Sequence, residues 1–296
     1  MIGLAFKSTI SCTMPSCTVI KQGLWTSLQD QGRLGMAYYA IPPSGYMDKQ
    51  SAILANQLVG NGLEFPVLEC SLAGPTLLFN DYATISVTGA DMQWTLDENL
   101  IEMNQSLSVK RGQILKGGFA KTGLYGYIAI GGQIEADYSY GSCSGYRPAE
   151  LGHKKGHAFQ KEDTINWATH KPSLCTSKLA LLKRTNNIHI IKGPEFHLLD
   201  KQSQKHLLSG AFLKTSESNR MGARLSGPIL KTTQPLTHSV PVVPGHMQLP
   251  PSGQPIVVLN DGQTTGGYPR IALLSKEMRN AFNRIGIGKP MSFKVL

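Results

Sequence analysis

The chain has 296 residues, of which 31 are glycine, 17 proline, 16% charged and 7% aromatic. This composition excludes a long helical bundle, which would need Ala, Leu, Glu and Lys on its exposed faces, and at 41% hydrophobic it excludes disorder. A formal charge of +10 suits anionic partners, yet the basic residues are scattered and carry no nucleic-acid-binding signature, so a solvated basic surface is expected.

Residues 1–17 are rich in Ser, Thr and Cys, without pattern, and read as an N-terminal extension. A strand is predicted at Cys17–Ile20. The spacing of Ala52, Ile53, Ala55 and Leu58 behind a capping Asp48 predicts a helix over 48–59, ended by Gly60-Asn61-Gly62. Short β-type runs bounded by turn residues follow at 67–70, 76–79, 83–87, 107–109 and 125–130. Residues 138–163 read as a long loop or as material between domains, and 169–187 as a basic connector. A second strand-rich block is predicted at 188–191, 224–225, 255–259, 271–274 and 291–295, with short helices at 195–206 and 275–283. Two weak echoes suggest a duplicated β plan: Leu72–Leu77 with Leu225–Leu230, and Val87–Gln93 with Val243–Gln248.

The five cysteines form no CxxC pair, which points to reduced thiols rather than zinc or a disulfide framework. With no signal peptide and no apolar run of spanning length, the expectation is a soluble, cytoplasmic protein that binds neither membrane nor nucleic acid.

Three stretches carry candidate chemistry. In the first, a predicted buried strand feeds into Asn260-Asp261-Gly262-Gln263-Thr264-Thr265-Gly266-Gly267-Tyr268. Asp261 is placed to act as a base or to orient a polar group, and Thr264, Thr265 and the Gly266 and Gly267 amides to hold an anion. An elaborate turn with Asp261 as its Asx residue fits the same pattern. In the second, Ser44 precedes the helix that Asp48 begins, where a hydroxyl and the first helical amides can meet an anion, although helix capping alone explains Asp48. In the third, Asn219 and Arg220 offer a fork of donors for carboxylate or phosphate, or an internal ion pair. Gln248 and Tyr268 complete the candidate binding set.

Other signatures fail. Gly112 and Gly117 have phosphate-loop spacing but lack the Lys-Ser/Thr that must follow. Gly141-Ser-Cys-Ser-Gly145 imitates a nucleophile elbow without the strand and helix it needs. His153 and His157 lack a third metal ligand, so no metal site is expected.

These stretches, with Gly23–Arg33, Pro43–Asp48, Glu69–Pro75, Val87–Asp91, Asn219–Leu225 and Gly253–Pro269, resemble the allophanate hydrolase subunit 2 family over residues 18–296. That family includes the C subunit of the ATP-dependent bacterial 5-oxoprolinase and the carboxyltransferase portion of urea carboxylase. The resemblance implies a mainly β protein of two cyclophilin-like β-barrel units with a few short helices, the first over 18–185 and the second over 186–296. It implies a component that works with the B and A subunits of 5-oxoprolinase to open 5-oxo-L-proline to L-glutamate. ATP is then a substrate shared with the B subunit, in keeping with the lack of a self-contained phosphate loop here. Asp261 and Arg220 become the candidate catalytic residues. Alternatives are a module accepting carboxybiotin from a partner, with biotin carried elsewhere, and a regulatory protein antagonising a kinase inhibitor. The chain departs from the family pattern at Gly141-Ser-Cys-Ser144, where members have Gly-Ser-Arg-Ser, and in the basic loop 146–159.

Overall fold

The computed structural model describes residues 14–169 and 185–296. The predicted extension therefore lies almost wholly outside the described residues, as does most of the 169–187 connector. The N-terminal unit runs β1 (Ser16–Lys21), β2 (Trp25–Gln29), α1 (Lys49–Leu58), β3 (Val67–Ser71), β4 (Thr76–Phe79), β5 (Ala83–Asp91), β6 (Thr95–Leu96), β7 (Asn99–Leu100), β8 (Ser106–Val109), β9 (Ile114–Lys116), β10 (Thr122–Ile130), β11 (Gln133–Ile134) and β12 (Thr164–Ala168). The C-terminal unit continues with β13 (Asn187–Lys192), α2 (Lys201–Ser209), β14 (Phe212–Lys214), β15 (Gly222–Ser226), β16 (Val240–Pro241), β17 (His246–Gln248), β18 (Ile256–Val258), β19 (Thr265–Gly266), β20 (Arg270–Leu274), α3 (Lys276–Arg284) and β21 (Pro290–Val295).

Among the described residues the fold is mainly β with three α-helices, as expected. Strands of the C-terminal unit close into a barrel in the order β13-β20-β17-β18-β15-β14-β21, which leaves no free edge. The N-terminal unit arranges its strands as a sheet β11-β12-β1-β4-β9-β6-β7 and a sheet β2-β3-β10-β5-β8. Side chains of both sheets, among them Val19, Leu77, Phe79, Val87, Ile128 and Trp167, share one core. A second core crosses between the units: Ala52, Ala55 and Tyr127 belong to the same cluster as Ile190, Phe282 and Phe293.

Helix α1 begins where Asp48 accepts from the Ser51 amide. The helix predicted over 195–206 is instead a short 3-10 turn at Phe196–Leu198 followed by α2, because Asp200 accepts from the Ser203 amide and starts a new helix there. Residues 138–163 are not material between domains. They hold two short 3-10 turns, and the chain then returns in β12 to pair with β1. The echoed segments fall on different elements: Leu77 lies in β4, whereas Leu230 lies outside any strand and its amide bonds the Gly253 carbonyl. Among the described residues, no helix is long and apolar enough to cross a membrane.

Lys214 locks α3 onto the barrel. Its buried ammonium donates to the Phe282 and Ile285 carbonyls at the end of α3 and lies 4.0 Å from the Phe282 ring centroid. Burial lowers its pKa from 10.5 to about 7. Between those values the unfolded chain binds a proton that the folded chain does not, so this group makes stability rise with pH from about 7 to 10.5. Urea midpoints measured across that window should climb more steeply for the wild type than for Lys214→Met. Equal slopes would contradict the assignment.

Candidate functional site

Residues 43–47 form a strap held by both units. On the N-terminal side, Arg33 N–H donates to the Pro43 carbonyl at 2.8 Å, Tyr46 N–H to the Asp30 carbonyl at 3.0 Å, and Met47 N–H to Glu69 Oε2 at 2.8 Å. On the barrel side, Ser44 N–H donates to the Asn260 carbonyl at 2.9 Å, Asn260 Nδ2 to the Tyr46 carbonyl at 2.7 Å, and Asn283 Nδ2 to the Met47 carbonyl at 2.6 Å. Gly32 and Gly45 make this approach possible. Both have positive φ, and a Cβ on Gly32 would stand 2.5 Å from the Pro43 carbonyl oxygen.

Arg220, just before β15, joins the two units at the strap. Its Nε and Nη2 donate to Asp261 at 2.7 and 3.2 Å, Nη1 to Glu69, and Nη2 also to Gln29 Oε1 at 3.1 Å and the Gly45 carbonyl at 2.9 Å. Burial by itself would lower the guanidinium's pKa, but Asp261 and Glu69 outweigh it and hold the group above its ordinary value. Burial pushes the Glu69 carboxyl up, against the pull of Arg220, the Met47 amide and the Tyr127 hydroxyl. Tyr127 passes the network on: its hydroxyl donates to Glu69 Oε2 at 2.8 Å and accepts from the Asp48 amide at 2.7 Å.

Beside this junction opens a cavity of about 310 Å³. Trp25 and Ser27 of β2 and Leu124 and Tyr125 of β10 line it from one unit, and Asn219, Arg220, Met221 and Asp261 from the other. Tyr146, Arg147 and Pro148 lie on its third side, contributed by the loop that the sequence left without a role. Asn219 Oδ1 is occupied by the Met221 and Gly222 amides, whereas its Nδ2 has no protein acceptor among the described residues. Arg147 is exposed, and no carboxylate is paired with it among the described residues.

The predicted site residues therefore divide. Asp261, Arg220 and Asn219 meet in this cavity. Both Asp261 oxygens accept from Arg220, which makes that carboxylate a positioning group rather than a free base. Asp48 caps α1 and pairs with Arg284 of α3, at 2.6 and 2.9 Å. Ser44 lines a different cavity. Thr264, Thr265, Gly266, Gly267 and Tyr268 line neither: Thr265–Gly266 is β19, paired with β16. Gln248 is buried beneath that ribbon, accepting from Gln263 Nε2 at 3.0 Å and reaching the Tyr268 carbonyl at 3.5 Å. Sequence reasoning missed Glu69, Gln29 and Arg147. Glu69 had a signal, since a carboxylate inside the apolar run Val67–Cys70 needs a buried partner.

Cys143 is fully buried, and burial and the Asp30 carboxylate push its thiol well above the ordinary value. Asp30 holds the surrounding segment by accepting from the Ser142 and Ser144 hydroxyls at 2.6 Å each and from the Cys143 amide at 2.7 Å.

A profile of the carboxyltransferase domain, subdomains A and B, matches residues 39–295. The chain belongs to this family. It is 35% identical over 279 residues to the C subunit of 5-oxoprolinase from Escherichia coli, covering 93% of this chain and 89% of that protein. The C subunit from Haemophilus influenzae is 32% identical over 273 residues, covering 91% and 88%. In structure, the chain matches the urea amidolyase of K. lactis with a TM-score of 0.87 and 27% identity, over 96% of this chain and 19% of that one. The structural match accords with the mainly β architecture.

Two outcomes check this geometry. Arg220→Met leaves Glu69 and Asp261 buried without their cation, and should cost about 3–5 kcal/mol in urea unfolding, with part regained by adding Glu69→Gln. A loss below about 1 kcal/mol would contradict a buried pair of this kind. Peptide mapping after alkylation of the folded protein should find Cys143 unmodified and, after unfolding, modified.

Proposed function

We propose that this chain is the C subunit of an ATP-dependent 5-oxoprolinase and acts with B and A subunits. The observation that carries this reading is the extent of the match: the chain accounts for 89% of the E. coli C subunit but for 19% of the K. lactis urea amidolyase. In the proposed reaction, 5-oxoproline, ATP and two molecules of water give glutamate, ADP and phosphate. A lactam resists hydrolysis because its nitrogen delocalises into the carbonyl. Phosphorylating the carbonyl oxygen ends that delocalisation: water then adds to the carbon, the C–N bond breaks as the nitrogen takes up a proton, and a second water displaces phosphate from the resulting acyl phosphate.

The 310 Å³ cavity supports the lactam reading by its chemistry. Trp25, Leu124 and Met221 offer apolar walls for the ring, Asn219 Nδ2 a donor for its carbonyl, and Arg147 a cation for its carboxylate. Arg220 and Asp261 neutralise each other at one wall, and their role here is to keep Asn219 in place through the adjoining loop. A second reading, a carboxyltransferase module that receives a carboxyl group from carboxybiotin on a partner, draws on the structural match to urea amidolyase.

Reconstitution with homologues of the B and A subunits should yield glutamate from 5-oxoproline only when ATP is present. In that complex, Arg147→Ala and Asn219→Ala should each raise the KM for 5-oxoproline about tenfold or more. No glutamate from the full complex with ATP would reject the reading, and ATP-dependent carboxylation of urea with a biotin carboxylase partner would establish the second.

A further inference from the structure

The loop that leads into the strap, Leu34–Ala40, carries large side chains into solvent. Leu34 is 82% exposed, Tyr38 92% and Tyr39 67%, and none of them belongs to either core cluster. The loop is nevertheless an ordered turn. The Met36 carbonyl accepts from the Tyr39 and Ile41 amides at 3.0 and 3.3 Å, and the Ala37 carbonyl from the Ala40 amide at 3.0 Å. Arg33 N–H closes its base on the Pro43 carbonyl, and the Tyr38 and Tyr39 rings meet edge to face with centroids 5.4 Å apart. Exposed apolar side chains scattered singly are ordinary, but large ones gathered on one internally bonded turn mark an interaction surface.

Leu34 also lines a groove of about 460 Å³, together with Val243 and Pro244. The cations in its lining are Lys49 of α1 and Lys276 and Arg279 of α3, the two lysines exposed and Arg279 half-buried, and no carboxylate lines it. Among the described residues, no carboxylate forms an ion pair with any of the three. Glu277, the acid acting on Arg279, accepts from the Ser275 hydroxyl at 2.8 Å and lies outside the lining. Loop and groove thus form one face, in which aromatic and apolar groups stand beside cations. Charge decides what can cover it. A second copy of the chain carries +10 and would bring like charge to these cations. The stretches 1–13 and 170–184, outside the described residues, contain lysine and arginine but no Asp or Glu, so neither complements the groove. A flat anionic lipid surface would meet the loop and the lysines but not a half-buried guanidinium within a groove.

We infer that Leu34–Ala40 and this groove are a docking surface for another protein, one that offers an acidic segment to the groove and an apolar pocket to Leu34 and Tyr38. Tyrosine supplies a large contact area with a polar tip and is favoured where interfaces are strongest. A turn already held by its own backbone bonds loses little freedom on docking. The exposed lysines steer an acidic partner towards the face, and Arg279 gives a carboxylate a forked donor. Only the identity of the partner rests on the oxoprolinase reading, under which it is another subunit of that assembly.

The test is interferometry of the full chain against purified homologues of the B and A subunits, each offered alone, at low and at high salt. One of them should bind, and more weakly at high salt. Tyr38→Ser and Leu34→Ser should each weaken that binding about tenfold, and the pair Lys49→Glu with Lys276→Glu should slow association about tenfold at low salt. The thermal midpoint of the free chain should stay where it is in all of them. Tyr82→Ser, which removes a comparably exposed aromatic from the turn between β4 and β5, should change nothing. The inference is overturned by an affinity indifferent to Tyr38→Ser and Leu34→Ser, by an equal loss in Tyr82→Ser, or by no binding of either subunit. It is also overturned if the free chain self-associates, or binds anionic phospholipid vesicles, in a manner that Tyr38→Ser abolishes. A complex weakened by these substitutions that makes no glutamate rejects the lactam reading and supports this surface. A productive complex with unmoved affinity does the reverse.

Discussion

One guanidinium sets the relation between the two units. Arg220 reaches from the barrel unit into the N-terminal unit and meets Glu69, Gln29 and the strap carbonyl of Gly45 there, while Asp261 of its own unit grips it from behind. Neither carboxylate is exposed enough for water to replace this partner. Taking such charges out of water is costly, and the cost is offset only when all the contacts form together. The junction therefore favours one relative placement of β3, the strap and the loop before β15. The apolar cluster shared by α1, β10 and the barrel supplies the non-directional part of the same closure.

That placement decides where ligands can go. The strap occupies the middle of the seam, pinned on one side by Asp30, Arg33 and Glu69 and on the other by Asn260 and Asn283. Space remains on either side of it, and its two sides differ in chemistry. Next to Arg220 the guanidinium is engaged by Glu69 and Asp261, and the cavity there has apolar walls, a few polar groups and the exposed cation Arg147. Next to α3 the charges are unbalanced, because Lys49, Lys276 and Arg279 converge there without a carboxylate among the lining residues. A single junction thus leaves two cavities with different linings.

Local signals made much of this legible in the sequence. The helix behind Asp48 was readable because cap, apolar period and terminal glycines agree, and so were strands with apolar runs between turn residues, such as β4 and β13. Strand β2 was missed because Thr26, Ser27 and Gln29 are buried polar residues, so no alternation shows. Its polarity serves the junction: Gln29 accepts from Arg220 and donates to Ser27. The candidate site was half readable. Asn219, Arg220 and Asp261 do meet, but the contiguous run 260–268 does not act as one loop, since β19 leaves at Thr265 to pair with β16. Partners 151 residues apart in sequence, such as Glu69 and Arg220, leave no local trace of their contact.

The cysteine at position 143, where the family resemblance implies an arginine, can be placed by the same reasoning. What fixes this segment is Asp30, which receives the Cys143 amide and the hydroxyls on either side of it. Those contacts use the backbone of position 143 and the side chains of its neighbours, so a cysteine there preserves them. The thiol lies in the interior beside Asp30 and Arg33, and position 143 is not among the residues lining the 310 Å³ cavity. Replacing an arginine at such a position alters the charge balance around Asp30 and Arg33 rather than the cavity wall. The exposed cation at that wall is Arg147, carried by the same loop four positions later, so the loop can vary its interior anchor while still presenting a positive group to a ligand.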